Sequence, residues 1–432
     1  MRPCSPTCRP ADSPTPLTSV LRNSTFARLL AAHLISQVGS GVTMLALPLI
    51  AAVTLGATPL QVGLLAAAET IPLLGLGLLA GVLADRVRRK PLMVAADLGR
   101  FALLLLIPLA AWQGWLNYWL LVGVMLAVGS LSVLFDIASQ SYVATLLKGE
   151  DLLRGNSLLH TSYSIGEILG PGLAGMLIGL LRAPMAILAD ALSFLAAGLV
   201  LASIRSPEPP AARSASSIRA ELLEGIKVVA STPVLRSLGI STGVWNLFDN
   251  ARLAMLVLFM TQDLGLGAGT VGIVYSVSSV GWLIGTLLPG PAARRFGLGR
   301  AILVGAAAVA PGGILIALAG GSPLQAATMV GTGFFIEGLA GSVYDVNQYS
   351  LRQAITPLRL QGRVGAVLRV LIRGTVPLGA LLGGALASAI GLRGTMWVAL
   401  LGPPLALAFV WFSPVRGLRE MPAREEEMEA VG

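Results

Sequence analysis

The most constraining feature of this chain is a repeating block length. Apolar residues come in runs of about 20, separated by short polar breaks, and a helix of about that length crosses the roughly 30 Å hydrocarbon core of a bilayer. Lipid offers no hydrogen-bond partner to the backbone, so spanning segments are helices or closed barrels. A barrel would show short segments of alternating polarity instead. Charge content agrees: 12% of residues are charged and the mean hydropathy is +0.80, where soluble domains carry about 25% charged residues. The fold class is therefore an all-α integral membrane protein. The first apolar block opens near Phe26 behind MRPCSPTCRPADSPTPLTS; that tail reads as disorder, and no cleavable signal peptide is expected. Cys4 and Cys8 are the only cysteines. A C-x3-C pair without further ligands is a weak metal signal, so neither a metal nor a cofactor is expected.

Twelve spans are predicted, at about 28–53, 60–84, 91–112, 117–138, 160–181, 184–204, 235–260, 268–290, 300–320, 323–345, 365–390 and 394–413. Their connections alternate in charge. TLGATP (54–59), WQGWLN (112–117), LGLGAG (264–269) and GGSP (320–323) hold no Lys or Arg, whereas DRVRRK (85–90), 205–233, RRFGLGR (294–300) and 352–363 are basic. Positives on the uncharged side reduce to Arg182 and Arg393. By the positive-inside rule both termini are expected in the cytoplasm. The net charge of +9 is then topology and contact with anionic lipid, not nucleic-acid binding. Trp112, Trp115, Tyr118 and Trp119 suit an interfacial belt at the opposite surface.

The longest polar stretch divides the chain into a cytoplasmic tail (1–25), a six-helix half (26–204), a linker (205–233), a second six-helix half (234–413) and a second tail (414–432). Within the linker, IRAELLEGIKVVAS can form an amphipathic surface helix. The halves look related. Gly81 and Gly290 each end a span before a basic loop and lie 209 apart (290 − 81); Asp136 in LFDIASQSY and Asp345 in VYDVNQYS lie 209 apart as well (345 − 136). One offset at two landmarks argues for a parallel repeat, an arrangement that places a substrate site between the halves near the midplane.

GVLADRVRRK (81–90) resembles motif A of the major facilitator superfamily: Gly81, Asp85, Arg86, Arg89 and Lys90 match, and Arg88 departs from the usual glycine. The second copy, GPAARRFGLGR, keeps Gly290, Arg295, Gly297 and Arg300 but has Arg294 in place of the acid. DLLRGNSLL (151–159) and QYSLRQAITPLRLQGRVGAVLR (348–369) resemble loops of that superfamily's drug and siderophore exporters. The resemblance implies its twelve-helix fold. It also implies a cytoplasmic gate at Gly81, Asp85, Arg86, Arg89 and Asp136, in which the motif A acid meets span eleven and the basic residue meets the acid of span four. GEILGPGLAG (166–175) resembles motif C of proton-exchanging exporters at Gly166, Gly170, Pro171 and Gly175, with Ala174 replacing one glycine. Small residues four apart let another helix approach closely, and the proline removes a backbone hydrogen bond. Ordinary small-residue packing explains the same residues.

An ionised side chain at the bilayer centre costs about 2.5–3.5 kcal/mol on insertion scales, so each needs a partner, water or a proton. Glu337 in FFIEGLAG has no basic neighbour in sequence, and the resemblance puts span ten on the cavity; it is the first choice for carrying a coupled proton. Asp249 in span seven stands three residues from Arg252, and Glu69 and Glu167 are alternatives. Asp97 and Arg100, also three apart, can pair on one helix face. Asp190 is expected to bond helix to helix; Arg373 has no local acid and either reaches one across the halves or snorkels. His33, Gln37, Trp245, Asn246 and Phe334 are candidates to line the substrate cavity, with core packing the alternative for the histidine and the aromatics.

No G-x4-G-K-[ST] and no H-E-x-x-H occurs, so neither ATP hydrolysis nor zinc-enzyme chemistry is indicated, and no catalytic residue is assigned. The expectation is a secondary active efflux transporter, a proton antiporter of small amphiphilic organic compounds of drug, macrolide or siderophore type. It is expected as a monomer in the cell (inner, cytoplasmic) membrane. A proton-coupled importer of a small metabolite is the alternative. A non-transporting receptor or scaffold is a remote one, because the tails and linker are short.

Overall fold

The computed structural model describes residues 18–86, 88–147, 149–205 and 218–422. Among them, regular structure is helical throughout. Span one is Ser24–Leu49, span two Pro59–Arg86, span three Arg89–Gln113, span four Tyr118–Leu146, span five Gly149–Leu181 and span six Ala183–Ala202. A surface helix, Ile218–Ser231, follows. Span seven is Pro233–Leu258, span eight Ala268–Gly285 with the short helix Pro289–Phe296, span nine Leu298–Ala308 with Ala310–Leu318, and span ten Pro323–Ala354. One helical stretch, Leu358–Ala399, breaks at Gly391 (φ 79°, ψ 169°); span eleven is the part before the break, and span twelve is the part after it together with Gly402–Trp411. Among the described residues, nine helices meet simple criteria of length and hydropathy for crossing a membrane. The count reaches twelve once span two, the polar span seven and the division at Gly391 are included.

Local chemistry sets the ends. Asn23 accepts from the Thr25 and Phe26 amides, and Asn117 from the Leu120 amide. Ser322 and Gln325 form a capping box, satisfying backbone donors that a helix start leaves free. Gly114 ends span three in the left-handed conformation, where no Cβ penalty arises. At the far end of span six, Arg28 donates to the Ser203 carbonyl (3.0 Å) and Lys90 to the carbonyls of Ala202 and Ile204, placing cations at a helix C-terminus. Arg393, one of the two positives on the short-loop side, donates to the carbonyls of Ala317 and Ala319. It ends span nine.

The contacts of the first six spans recur in the second six. Span one packs on spans five and six, span two on four, and span three on four and six; seven packs on eleven and twelve, eight on ten, and nine on ten and twelve. The two sets meet through span two on eleven and span five on eight, pairings that the same offset exchanges. The offset extends to fine detail. π-Helical turns at Ile50–Thr54 and Phe259–Asp263, and positive-φ residues at Gly56 and Gly265 and at Arg182 and Gly391, all lie 209 apart (for example 259 − 50).

Packing is asymmetric along the bundle. At the end bearing the short uncharged loops, buried apolar side chains of both halves merge into one core, with Leu47 and Ile50 beside Met260 and Val271. At the basic-loop end the core divides: Phe26, Met93 and Tyr142 cluster within the first half, Leu238, Leu298 and Tyr344 within the second.

Candidate functional site

A cavity of about 410 Å³ lies between the halves. Gln37, Ser40 and Thr43 of span one, Glu69 of span two, Asp190 of span six, Asn250 of span seven and Tyr275 of span eight supply its polar lining, among apolar residues such as Met44, Leu65 and Val257. Gly166 and Pro171 line it from span five. Gln37, Glu69 and the Asn250 face of span seven stand out in the sequence; Ser40 and Tyr275 carry no signal in a single sequence that sets them apart from other polar residues in spans.

Among the described residues, the motif C segment is one of two places where the halves meet backbone to backbone; the other is the crossing of spans two and eleven, where a Cβ at Gly63 would stand 2.4 Å from the Ala380 carbonyl oxygen. A Cβ added at Gly170 would stand 2.6 Å from Gly41 Cα, and one at Gly166 2.8 Å from Gln37, so these two glycines admit span one of the same half. Gly175 and Pro171 face the other half. A Cβ at Gly175 would meet the Ala268 carbonyl oxygen at 2.9 Å, and one at Gly272 the Pro171 carbonyl oxygen at 2.6 Å. Spans five and eight thus touch backbone to backbone, the geometry that small residues permit in lipid. This contact belongs to the merged core at the short-loop end.

Three sets of intramembrane charges are held by side-chain partners among the described residues. Asp190 accepts from Thr43 of span one and from Ser193, the helix-to-helix bond expected of it. Asp97 and Arg100 pair within span three, and the guanidinium lies over the rings of Phe135 (4.5 Å) and Phe194 (4.2 Å), a cation–π setting. Arg252 donates to Asp249 in its own span and to Glu337 in span ten, both at 2.8 Å. The reading of Glu337 as an acid without a cation is thereby corrected. Its partner lies 85 residues away in sequence and is brought there by the packing of spans seven and ten. By contrast, no ion pair or side-chain hydrogen bond reaches the Glu69 carboxylate among the described residues. Of the cavity's two acids, Asp190 is held by Thr43 and Ser193, and Glu69 alone is left without such a partner among the described residues.

Trp245, Asp249, Arg252, Phe334 and Glu337 line a separate pocket of about 240 Å³ inside the second half, in which Trp245 stacks on Tyr344 (5.1 Å, 8°). The structure places Trp245 and Phe334 here rather than on the cavity between the halves. Asn246 bonds back to the Thr242 carbonyl. His33 is buried, joined to Ser162 at 2.7 Å and set edge-on to Tyr163; it packs span one against span five and does not line the cavity.

At the expected gate, the side chains of Asp85 and Arg86, and all of Gly81 but its helical backbone, lie outside the described residues, as does the Glu167 side chain. Asp136 stands 3.9 Å from Arg373 of span eleven, so the acid of span four meets the opposite half. Arg373 finds its acid across the halves. Arg89 is half-buried at the start of span three.

Two six-helix sets, a cavity between them and the glycine-lined crossing of spans five and eight describe a transporter fold. A family model described as "Transmembrane secretion effector" matches residues 15–430. The chain belongs to that family of the major facilitator superfamily. It is similar to the multidrug efflux pump Tap of Mycolicibacterium fortuitum, 28% identical over 395 residues that cover 88% of this chain and 93% of the pump. It is also similar to the class C tetracycline resistance protein of Escherichia coli, 26% identical over 55% of this chain and 59% of that one. Among solved structures, a bacterial homologue of the human lysosomal transporter Spinster, in an inward-facing and occupied conformation, superposes with a TM-score of 0.72 at 16% identity. It covers 90% of this chain and 96% of that one; at this identity the likeness shows the fold alone. As a member of the superfamily, the protein is a membrane transporter of small molecules and not an enzyme.

Proposed function

We propose that this transporter is a proton-coupled exporter of small amphiphilic organic compounds of drug, macrolide or siderophore type. It works as a monomer in the cytoplasmic membrane with both termini in the cytoplasm. The observation that carries this reading is Glu69. Among the described residues it is an acid without a cation, in a mostly apolar cavity between the halves that Gly166 and Pro171 of the motif C segment also line. A group so placed holds a proton or a substrate cation, and its alternation between them links the two. The efflux pumps among the relatives support the direction of transport.

In this mechanism the halves rock about the cavity. Packing around Pro171 closes the outer side. On the cytoplasmic side, contacts such as Asp136 with Arg373 must part and re-form. Asp249, Arg252 and Glu337 form a second charged cluster that keeps its acids paired. The membrane potential contributes about 2.3 kcal/mol per proton per 100 mV.

The test is accumulation of ethidium or a macrolide in cells expressing wild type, Glu69→Gln or Glu337→Gln at matched membrane abundance, with and without an uncoupler. Wild type is expected to lower accumulation until the uncoupler is added, and Glu69→Gln to lower it little at any time. Export by Glu69→Gln at the wild-type rate removes Glu69 from coupling; export that ignores the uncoupler overturns proton coupling itself.

A further inference from the structure

The second copy of motif A is degraded: Arg294 stands where the first copy has an acid. Its loop carries three arginines, Arg294, Arg295 and Arg300, and the chain after span twelve folds back onto it. The Leu298 amide donates to the Arg419 carbonyl at 3.0 Å, and the Gly299 amide to the Leu418 carbonyl at 2.8 Å. This return brings Arg416 and Arg419 to the same open basin of about 1760 Å³. No carboxylate pairs with any of the five among the described residues. Arg416 lies over Trp411 at 4.1 Å. Five guanidinium groups and a single carboxylate, Glu420, line the basin; the excess positive charge attracts an anion, and the planar fork suits phosphate.

An apolar groove of about 440 Å³ opens from the same place. Leu288, Val304, Ile336, Leu339 and Val343 line it between spans eight, nine and ten. Arg295, Phe296 and Val304 border both the basin and the groove. A free phosphate would use the basin and leave the groove empty. A phospholipid uses both.

We propose that the 289–300 loop, the return 413–421 and the groove of spans eight to ten form a binding site for one anionic phospholipid. Its phosphodiester sits among Arg294, Arg295, Arg300, Arg416 and Arg419, and an acyl chain lies along Val304 and Leu339. The site is separate from the cavity between the halves and does not depend on the direction of transport.

The experiment follows thermal unfolding of the full chain in detergent while dioleoylphosphatidylglycerol, dioleoylphosphatidylcholine or inorganic phosphate is added. Phosphatidylglycerol is expected to raise the melting temperature saturably, at a tenfold lower concentration than phosphatidylcholine, with phosphate giving no shift. Arg295→Gln/Arg300→Gln removes charge, and Val304→Trp fills the groove without touching charge; each should raise the half-saturating phosphatidylglycerol concentration about tenfold. All these residues are solvent- or lipid-exposed, and an unchanged melting temperature without lipid verifies the fold. Equal response to both lipids, or an unaltered response of the arginine variant, overturns the proposal. A phosphate response that Val304→Trp leaves intact makes the basin a free-anion site and overturns it too. So does a phosphatidylglycerol response that appears only once Glu425, Glu426, Glu427 and Glu429 are changed to Gln, for then the chain's own acidic tail fills the basin.

Discussion

Replacing Gly272 by Ala tests the claim that the spans five and eight crossing closes one side of the cavity. The added Cβ would stand 2.6 Å from the Pro171 carbonyl oxygen and 3.0 Å from Gly175 Cα. A carbon rests about 3.3–3.6 Å from a carbonyl oxygen, so the two helices must separate by roughly 0.7–1 Å. Both obstacles are backbone, and no rotamer relieves them. Overpacking of this kind costs typically about 1–3 kcal/mol. If the crossing exists only while the short-loop side is shut, that cost falls on one state alone and shifts the equilibrium by about 5–150-fold. The assay places a single cysteine at Met44, a cavity residue, in a chain whose Cys4 and Cys8 are Ser. It then measures alkylation by a membrane-impermeant maleimide added outside intact cells. Gly272→Ala should speed labelling at least fivefold. Gly170→Ala is the control: its Cβ collides with Gly41, within one half, so it should lower stability without speeding labelling. Equal rates in wild type and Gly272→Ala, or equal acceleration by both glycine variants, would refute the reasoning.

Other consequences are independent of that crossing. Arg252→Gln leaves Asp249 and Glu337 without their cation and should cost about 3–5 kcal/mol, seen as a lower melting temperature in detergent; adding Glu337→Gln should restore part of the loss. Asp136→Asn and Arg373→Gln break a pair whose side chains are 36% and 56% exposed; stability should change by less than about 1 kcal/mol, while the export rate changes, because the pair joins the halves. Arg182→Gly should raise the melting temperature and Gly391→Ala should lower it, each by the equivalent of about 1–3 kcal/mol. Arg182 holds φ 69° and ψ 157° in a region that only glycine enters freely, as Gly391 does at the matching turn.

Helix positions were legible because membrane spans announce themselves by length and apolarity. Where that signal weakens, other chemistry intervenes. Span seven is too polar by composition because Asn246, Asp249, Asn250 and Arg252 serve inward-facing positions, and spans eleven and twelve run together because Gly391 turns the chain without a polar break. Local pairs were legible as well: Asp97 with Arg100, and Asp249 with Arg252, are one helical turn apart. Glu337 with Arg252 and Asp136 with Arg373 were not, because nothing in a single sequence records which residue of one span packs against which residue of another. The same limit hid the cavity role of Tyr275 and left open whether His33, Trp245 and Phe334 line the cavity or pack; His33 packs, and Trp245 and Phe334 line the second-half pocket.

The repeat shows where the two halves have diverged. Shifted by 209, the second-half pocket residues Asp249, Arg252 and Glu337 fall on Ser40, Thr43 and Val128, all three on the wall of the cavity between the halves. Glu69 and Asp190 in turn fall on Ser278 and Ala399, both on the wall of the second-half pocket. Both halves therefore line a hollow from the same backbone positions, yet apart from the matched Asp136 and Asp345 they place their acids at different points. In the second half Arg252 holds Asp249 and Glu337. In the first half the corresponding position is Thr43, which bonds Asp190 and leaves Glu69 with no cation. Packing requirements are common to both copies and would favour equal solutions. The departure in charge is what the proposed mechanism draws on: if a proton is exchanged, Glu69 can do so without first parting from a cation, whereas Asp249 and Glu337 must give up Arg252.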